Sequence, residues 1–191
     1  MQEERDLILL AQNGDMNAFR KLVERHQKRI LWLAFDLSGN MQDAEDISQE
    51  IFVKMFKSLK KFRGESKLSS WLYKITVNTW LNESRKGSTR VKKMQEPLDE
   101  NLIESQAGGL GYLPADPERE AESALLNKRF RKAFELLSRR ELSVFMLRHY
   151  HDHKITEIGK ILDLSAGTVK SLLFRAVKKM QKRLECLSDE L

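Results

Sequence analysis

The chain has 191 residues, 41% of them hydrophobic, so it can form one large domain or two small ones. Its formal net charge of +6 indicates an anionic partner. Its single cysteine, Cys186, excludes an internal disulfide and is typical of a reducing compartment. Because the sequence has neither a signal-peptide pattern nor an apolar run of bilayer length, we expect a cytoplasmic protein with no direct membrane insertion.

Four helices are predicted in the first part of the chain. Apolar residues recur at helical spacing over residues 3–14, 15–39, 44–59 and 68–86. Asp15 is expected to cap the second of these helices, and Gly39-Asn40 to end it. Residues 62–67 interrupt the apolar spacing and include a glycine, so we predict a loop before the fourth helix.

The next segment has the composition of a linker. All three prolines lie between Gly87 and Glu118, and few large apolar residues accompany them. Such a segment cannot bury enough apolar surface to offset the entropy lost on ordering, and roughly thirty residues is too long for a loop inside one compact domain. We therefore predict an N-terminal domain at residues 1–87, a linker at 88–116 and a C-terminal domain at 117–191.

Helix start signals recur in the C-terminal part. Asp116-Pro117 places a cap before a proline at the first helical position, and Ser138 with Glu141 three residues later is a capping box. Residues 155–170 then predict two helices joined by a tight turn. Because no alternating apolar pattern of useful length occurs, we predict an all-α fold of two small helical domains joined by a flexible linker.

The two helices at 155–170 are typical of a helix-turn-helix. Ser165 is placed to cap the second helix, whose predicted inner face carries Val169, Leu173, Ala176, Met180 and Leu184. Its outer face carries Lys170, Ser171, Phe174, Arg175 and Lys178. A helix with an exposed cationic face after a tight turn fits the major groove of DNA. The alternative is an ordinary helical hairpin with a solvated charged face.

Charged residues are unevenly distributed along the chain. Residues 43–50 include four acidic residues and no Lys or Arg, whereas residues 175–183 are strongly basic. This asymmetry predicts two different partners.

No arrangement of residues points to catalysis. We find no paired catalytic carboxylates, no nucleophile with its base and no glycine loop suited to phosphate, so neither an enzyme nor a cofactor is expected. His149, His151 and His153 raise a metal hypothesis, but alternate spacing suits neither one helix face nor an i, i+4 zinc pair. We therefore predict no metal site.

Taken in order, these segments resemble the bacterial sigma factors of the extracytoplasmic-function type, in the sigma-70 superfamily. Residues 43–52 resemble the helix that docks on the clamp of RNA polymerase. Residues 62–66 with 70–78 resemble the segment that opens the promoter, and residues 136–148 with the helix-turn-helix resemble the domain that reads the upstream element. The resemblance implies a region 2-like domain at 1–87 and a region 4-like domain at 117–191.

The resemblance also implies three sets of site residues. The surface for core polymerase comprises Asp43, Asp46, Gln49, Glu50 and Phe52. The −10 element is expected to contact Arg63, Gly64, Ser66, Lys67, Ser70, Lys74, Asn78, Arg85 and Lys86. The −35 element is expected to contact Thr168, Lys170, Ser171, Phe174, Arg175 and Lys178. Further backbone phosphate contacts are expected from Lys179, Lys182 and Arg183.

These residue types suit those roles. A loop with a glycine, small hydroxyls and cations lets a phosphate chain or an unstacked base approach closely, and the Asn78 amide both donates and accepts at a base edge. Arg175 or Lys170 suits guanine, and Phe174 suits a thymine methyl. For Asn78 the alternative is a cap or a satisfied core amide. For the acidic residues at the start of the third helix, the alternative is a favourable interaction with the helix dipole, which explains Gln49 and Glu50 poorly.

The sequence thus predicts an initiation subunit that brings core RNA polymerase to promoter DNA and assists strand opening. The resemblance adds an anti-sigma factor that holds the chain inactive. Because that partner is often membrane-anchored, the protein is expected at the nucleoid or tethered to a membrane through it. The alternative is a stand-alone helix-turn-helix transcriptional regulator whose N-terminal domain senses a ligand or dimerises.

Overall fold

The computed structural model of the chain describes residues 2–86 and 130–188, which form two compact helical units. These residues contain no strand, which confirms the predicted all-α class with two helical domains. The predicted linker and the Asp116-Pro117 cap lie outside the described residues. The exact domain boundaries therefore stay a prediction. None of the described helices is both long and apolar enough to cross a membrane.

The N-terminal unit has four helices, and their starts and ends follow local signals. They are α1 (Gln2–Gln12), α2 (Met16–Ser38), α3 (Met41–Ser58) and α4 (Leu68–Lys86), with a short 3₁₀ turn at Leu59–Lys61. The Asp15 carboxylate accepts hydrogen bonds from the backbone N–H groups of Asn17 and Ala18 at 2.8 and 3.0 Å, which confirms the predicted cap. Gly39 ends α2 with a φ of 72°, a conformation that glycine adopts without strain.

Helix α2 is the centre of this unit and packs against α1, α3 and α4. The buried apolar residues include Leu22, Ile30, Leu33, Ile51, Met55, Leu68, Leu72 and Val77. Helix α1 is held to this core by polar contacts as well. His26 Nε2 lies 2.9 Å from Glu4 Oε1, and Gln12 donates to the carbonyls of Leu59 and Phe62 at 2.9 and 2.8 Å. Gln12 thereby fixes the chain where the loop at 62–67 begins.

The C-terminal unit contains a helical segment at residues 130–134, then α5 (Arg139–His149), α6 (Ile155–Leu162) and α7 (Ala166–Ser188). The capping box at the start of α5 is confirmed: Glu141 N–H donates to Ser138 Oγ at 3.3 Å, and Ser138 N–H donates to Glu141 Oε2 at 2.9 Å. The buried apolar residues include Ala133, Val144, Leu147, Ile158, Ile161, Val169, Leu172, Ala176 and Met180.

The turn between α6 and α7 depends on one close approach of backbone. A Cβ placed on Gly159 would lie 2.7 Å from the Leu164 carbonyl oxygen, a distance that no side chain tolerates. Asp163 closes α6 in the left-handed region with a φ of 54°, and Ser165 Oγ accepts from Thr168 N–H at 3.1 Å. The predicted tight turn and the Ser165 cap are therefore confirmed.

The inner face of α7 differs slightly from the prediction. Leu172 is buried at 5% exposure, whereas Leu173, which was predicted to face inward, is only partly buried. Both positions adjoin Val169 and Ala176 at helical spacing, so periodicity alone does not distinguish them.

Candidate functional site

The outer face of α7 presents all the predicted upstream-reading residues to solvent. Each of the six is exposed: Thr168, Lys170, Ser171, Phe174, Arg175 and Lys178. Phe174 is 69% exposed, and it lines one shallow surface concavity together with Lys170, Ser171 and Arg175. The ring therefore contributes nothing to the core and lies among the cationic side chains of this face.

Behind this face lies a buried carboxylate that connects α5 to α7. Glu141 is 4% exposed. Its Oε2 accepts from Lys179 Nζ at 2.7 Å, and its Oε1 lies 3.7 Å from Arg175 Nε. Burial favours the protonated acid, but the hydrogen bonds from Lys179 and Ser138 outweigh it, so the pKa of Glu141 falls below its ordinary value. The carboxylate is therefore ionised at neutral pH.

This pairing was missed by sequence reasoning, which assigned Glu141 to the capping box alone. It also bears on the expectation for Lys179, whose ammonium contacts Glu141 and donates to the Leu136 carbonyl at 3.4 Å as well, while 44% of its side chain stays exposed. The contact joins residues 38 positions apart. No local pattern could have found it.

In the N-terminal unit, the loop at 62–67 presents the residues predicted to meet the −10 element. Gly64 has a φ of 72°, and a side chain there would be strained. Arg63, Ser66 and Lys67 are exposed, and Arg63 pairs weakly with Glu65 at 4.0 Å. The loop leaves the unit at Phe62, whose ring contacts that of Trp71 at 5.2 Å.

Three of the predicted −10 residues lie along one stripe of α4. Ser70, Lys74 and Asn78 follow each other at intervals of four residues, and therefore share a face. Ser70 and Lys74 are half-buried, whereas Asn78 is exposed in the middle of the helix, so neither a cap nor a core amide explains it. Arg85 and Lys86 belong to the last turn of α4, but their side chains lie outside the described residues.

The residues predicted to bind core polymerase lie along α3 and differ in exposure. Asp43, Asp46 and Gln49 are exposed, but Glu50 and Phe52 are half-buried. Glu50 lies 2.6 Å from Lys54 Nζ. That ammonium also donates to Thr79 Oγ1 on α4 at 2.8 Å, so Lys54 links the two helices. The pair of Glu50 with Lys54 itself lies within α3, and the two side chains are 41% and 43% exposed.

Two exposed apolar residues on the same stripe of α3 were not anticipated. Val53 and Phe56 are 51% and 54% exposed, and they follow Gln49 by four and seven residues. The Phe56 ring stands edge-on to that of Phe19 at 5.2 Å. Both residues fall outside the spacing of the buried residues Ile47, Ile51 and Met55. Apolar residues outside the buried spacing are therefore the sequence signal that could have predicted this exposed pair.

His149 is the last residue of α5, and His151 and His153 lie in the turn before α6. The rings of His149 and Phe145 are 4.6 Å apart, and His153 Nδ1 lies 3.7 Å from Glu157 Oε2. Burial lowers the pKa of both His149 and His153. Within residues 2–86 and 130–188, no three His, Cys, Asp or Glu side chains are grouped to hold a metal ion. Helices α6 and α7 form a helix-turn-helix in the C-terminal unit.

Comparison with known proteins identifies the family. The model of sigma-70 region 2 matches residues 22–90, and that of sigma-70 region 4 matches residues 127–180. The chain is 30% identical to the ECF RNA polymerase sigma factor SigW of Bacillus subtilis, over 94% of this chain and 96% of that one. It is 31% identical to the ECF RNA polymerase sigma-E factor of Escherichia coli, over 95% and 94% respectively.

The fold is similar to that of the sigma factor RpoE from Bartonella quintana, solved in complex with the anti-sigma factor NepR. The TM-score is 0.64 at 22% identity, covering 87% of this chain and 96% of that one. The chain belongs to the extracytoplasmic-function sigma factors of the sigma-70 superfamily. It is a transcription initiation factor with DNA-binding domains, and the predicted resemblance is confirmed.

Proposed function

We propose that the two units divide promoter recognition between them. The N-terminal domain, at residues 1–87, binds core RNA polymerase and the −10 element, and the C-terminal domain, at 117–191, reads the −35 element, with residues 88–116 as the linker. The single observation that carries the assignment of the C-terminal unit is the exposed Phe174 in the cationic face of α7.

In the C-terminal unit, α7 lies in the major groove. Arg175 and Lys170 donate to guanine acceptors, and the Phe174 ring contacts a thymine methyl. Lys178, with Thr168 and Ser171 at the start of the helix, contacts phosphates and fixes the register of the helix without selecting a sequence. The exposure of all six side chains supports this arrangement.

In the N-terminal unit, the loop at 62–67 and the stripe on α4 capture an unpaired base of the −10 element. Gly64 allows the backbone to approach closely, and Asn78 recognises the edge of the base. Lys67 and Lys74 contact phosphates, as do Arg85 and Lys86 farther along α4. Strand opening is driven by this capture, which offsets a few kcal/mol of unstacking.

The α3 stripe binds core polymerase. Asp43, Asp46, Gln49 and Glu50 supply the polar contacts to basic residues of the clamp, and Val53 and Phe56 add to the apolar contact made by Phe52. An exposed apolar pair bordered by acidic residues is typical of the centre and rim of a protein interface.

The same surface is the target of an anti-sigma factor that keeps the chain inactive. The related fold of RpoE was solved with an anti-sigma factor bound to it, which supports this mode of control. The protein acts in the cytoplasm, at the nucleoid when active and tethered to a membrane when its inhibitor is anchored there. It performs no catalysis of its own and uses no cofactor.

In vitro transcription with purified core polymerase tests this proposal. The chain is expected to form a complex with core enzyme and to redirect initiation to a new set of start sites, mapped by sequencing the transcript ends across genomic DNA. Failure to associate with core enzyme, or unchanged start sites, contradicts it. Tight binding to paired half-sites in duplex DNA without polymerase points instead to a stand-alone regulator.

A further inference from the structure

Glu141 is a buried acid next to a helix that reads an anion. Its carboxylate is 4% exposed but lies 3.7 Å from Arg175 Nε. A negative charge at this place weakens the attraction to DNA, unless it orients the neighbouring cations so that they bind DNA more selectively. The position is therefore informative about function.

The contact occupies one end of the Arg175 guanidinium. Nε forms an ion pair with Glu141 at 3.7 Å, and the side chain is still 60% exposed, so most of it remains open to a further partner. Bidentate recognition of guanine needs the guanidinium donors in a fixed plane. An arginine already held in place loses less side-chain freedom when it binds than one that is free.

The same carboxylate restrains a second cation. Lys179 Nζ donates to Glu141 Oε2 at 2.7 Å and to the Leu136 carbonyl at 3.4 Å. An ammonium engaged by these two acceptors has fewer donors available for DNA phosphates, although 44% of the Lys179 side chain is exposed. One buried acid thus orients the cation that selects a sequence and withholds a cation that would bind any sequence.

We propose that Glu141 is a positioning residue for promoter selection, which holds Arg175 for base reading and keeps Lys179 from the phosphate backbone. The inference rests on the proposed function of α7. The capping box gives Glu141 a structural role as well, but that role uses only Ser138 and does not require the contacts to α7.

Holoenzyme reconstituted with full-length variants tests the proposal on promoters with each upstream base pair substituted in turn. Arg175→Ala first identifies the base pair that Arg175 reads. Glu141→Gln, which retains an acceptor for Ser138, is expected to lower discrimination at that same base pair about tenfold. It is also expected to steepen the salt dependence of binding by about one unit as Lys179 reaches phosphate.

Two control variants separate positioning from charge and from folding. Glu135→Gln makes the same charge change at an exposed position and should leave discrimination intact. Ser138→Ala weakens the cap of α5 but preserves the contacts of Glu141 to α7, so it should lower the melting temperature without changing discrimination. In the Arg175→Ala background, Glu141→Gln should cause no further loss of discrimination.

If Glu141→Gln discriminates between upstream base pairs as well as the wild type while Arg175→Ala does not, the positioning role is overturned and the proposed function stands. No loss in Arg175→Ala overturns both. If Glu141→Gln does not fold, nuclear magnetic resonance of the wild-type chain tests the proposal instead. The Arg175 Nε proton should exchange with water more slowly than that of Arg140, which is exposed; equal exchange rates overturn the proposal.

Discussion

At the scale of single residues, exposure in the middle of a helix distinguishes Asn78 from its neighbours. Thr76, Val77 and Thr79 are all buried within the N-terminal unit, whereas the Asn78 amide faces solvent. A polar side chain there makes no contribution to the core. Its substitution therefore tests DNA capture with little effect on folding.

We expect Asn78→Ala to slow strand opening about tenfold, because the loss of one or two hydrogen bonds to a base costs about 1–1.5 kcal/mol. Binding to core polymerase should be unchanged, since Asn78 lies on α4 and the polymerase surface on α3. Permanganate reactivity of unpaired thymines measures opening, and Gln27→Ala on the exposed face of α2 is the control. Equal opening by both variants contradicts the role of Asn78.

A second prediction at this scale concerns Gly159 and Gly167. Gly159→Ala places a methyl group 2.7 Å from the Leu164 carbonyl and should destabilise the C-terminal unit by about 1–3 kcal/mol. Gly167→Ala meets only Ser165 Oγ at 3.8 Å, within a helix, and should stabilise it by about 0.4–1 kcal/mol.

Thermal unfolding followed by circular dichroism measures both changes. All three tryptophans, Trp32, Trp71 and Trp80, belong to the N-terminal unit, so the fluorescence transition of that unit is an internal control and should not move. A shift of the same sign in the two variants would show that the approach of Gly159 to Leu164 does not constrain the turn.

At the scale of elements, α7 combines a buried structural face with the proposed recognition face. Leu172→Ala removes a buried side chain and should lower the free energy of unfolding by about 2–5 kcal/mol. Phe174→Ala, two residues away, should change it by less than about 0.5 kcal/mol. Phe174→Ala should nevertheless lower the preference for one upstream base pair by about 1–3 kcal/mol.

Melting curves and initiation from substituted promoters measure these two effects separately. If Phe174→Ala has normal stability and the base preference of the wild type, the ring does not take part in base recognition.

Comparison of elements also shows what the sequence could and could not predict. The caps at Asp15, Ser138 and Ser165 were predicted because each depends on residues two or three positions away. The start of α6 was harder to predict, because the Lys154 side chain offers no acceptor for a cap. The helix nevertheless begins directly after Lys154, since Glu157 accepts a hydrogen bond from the Lys154 N–H at 2.9 Å.

The parts of the site that were missed depend on tertiary structure. The pairing of Glu141 with α7 joins residues far apart in sequence, and which of Glu50, Phe52, Val53 and Phe56 are exposed depends on how α3 packs. Periodicity defines a stripe of a helix, but the packed neighbours decide which edge of the stripe stays in water.

At the scale of the whole molecule, histidines make both units sensitive to acid. Burial lowers the pKa of His26 below its ordinary value of 6.5 despite the nearby Glu4 carboxylate, and burial does the same for His149 and His153 in the C-terminal unit. The unfolded chain therefore binds protons more readily than the folded one. Each unit is most stable above pH 6.5 and loses stability as the pH falls below it.

We expect the melting temperatures of both units to fall between about pH 7.5 and 5.5. Fluorescence of the three tryptophans follows the N-terminal unit, and circular dichroism follows the whole chain. His26→Gln should flatten the response of the fluorescence transition alone. A melting temperature that stays constant or rises on acidification contradicts the assignment.

The contact at Lys54 has a consequence for how the N-terminal unit works. Its ammonium contacts the Glu50 carboxylate on α3 and donates to the hydroxyl of Thr79 on α4, the residue that follows Asn78 in the chain. One cation therefore links the helix that carries the proposed polymerase surface to the helix that carries the proposed base-capturing stripe. If a partner bound to one of these helices displaces Lys54, the effect on binding at the other helix is reciprocal and equal in free energy.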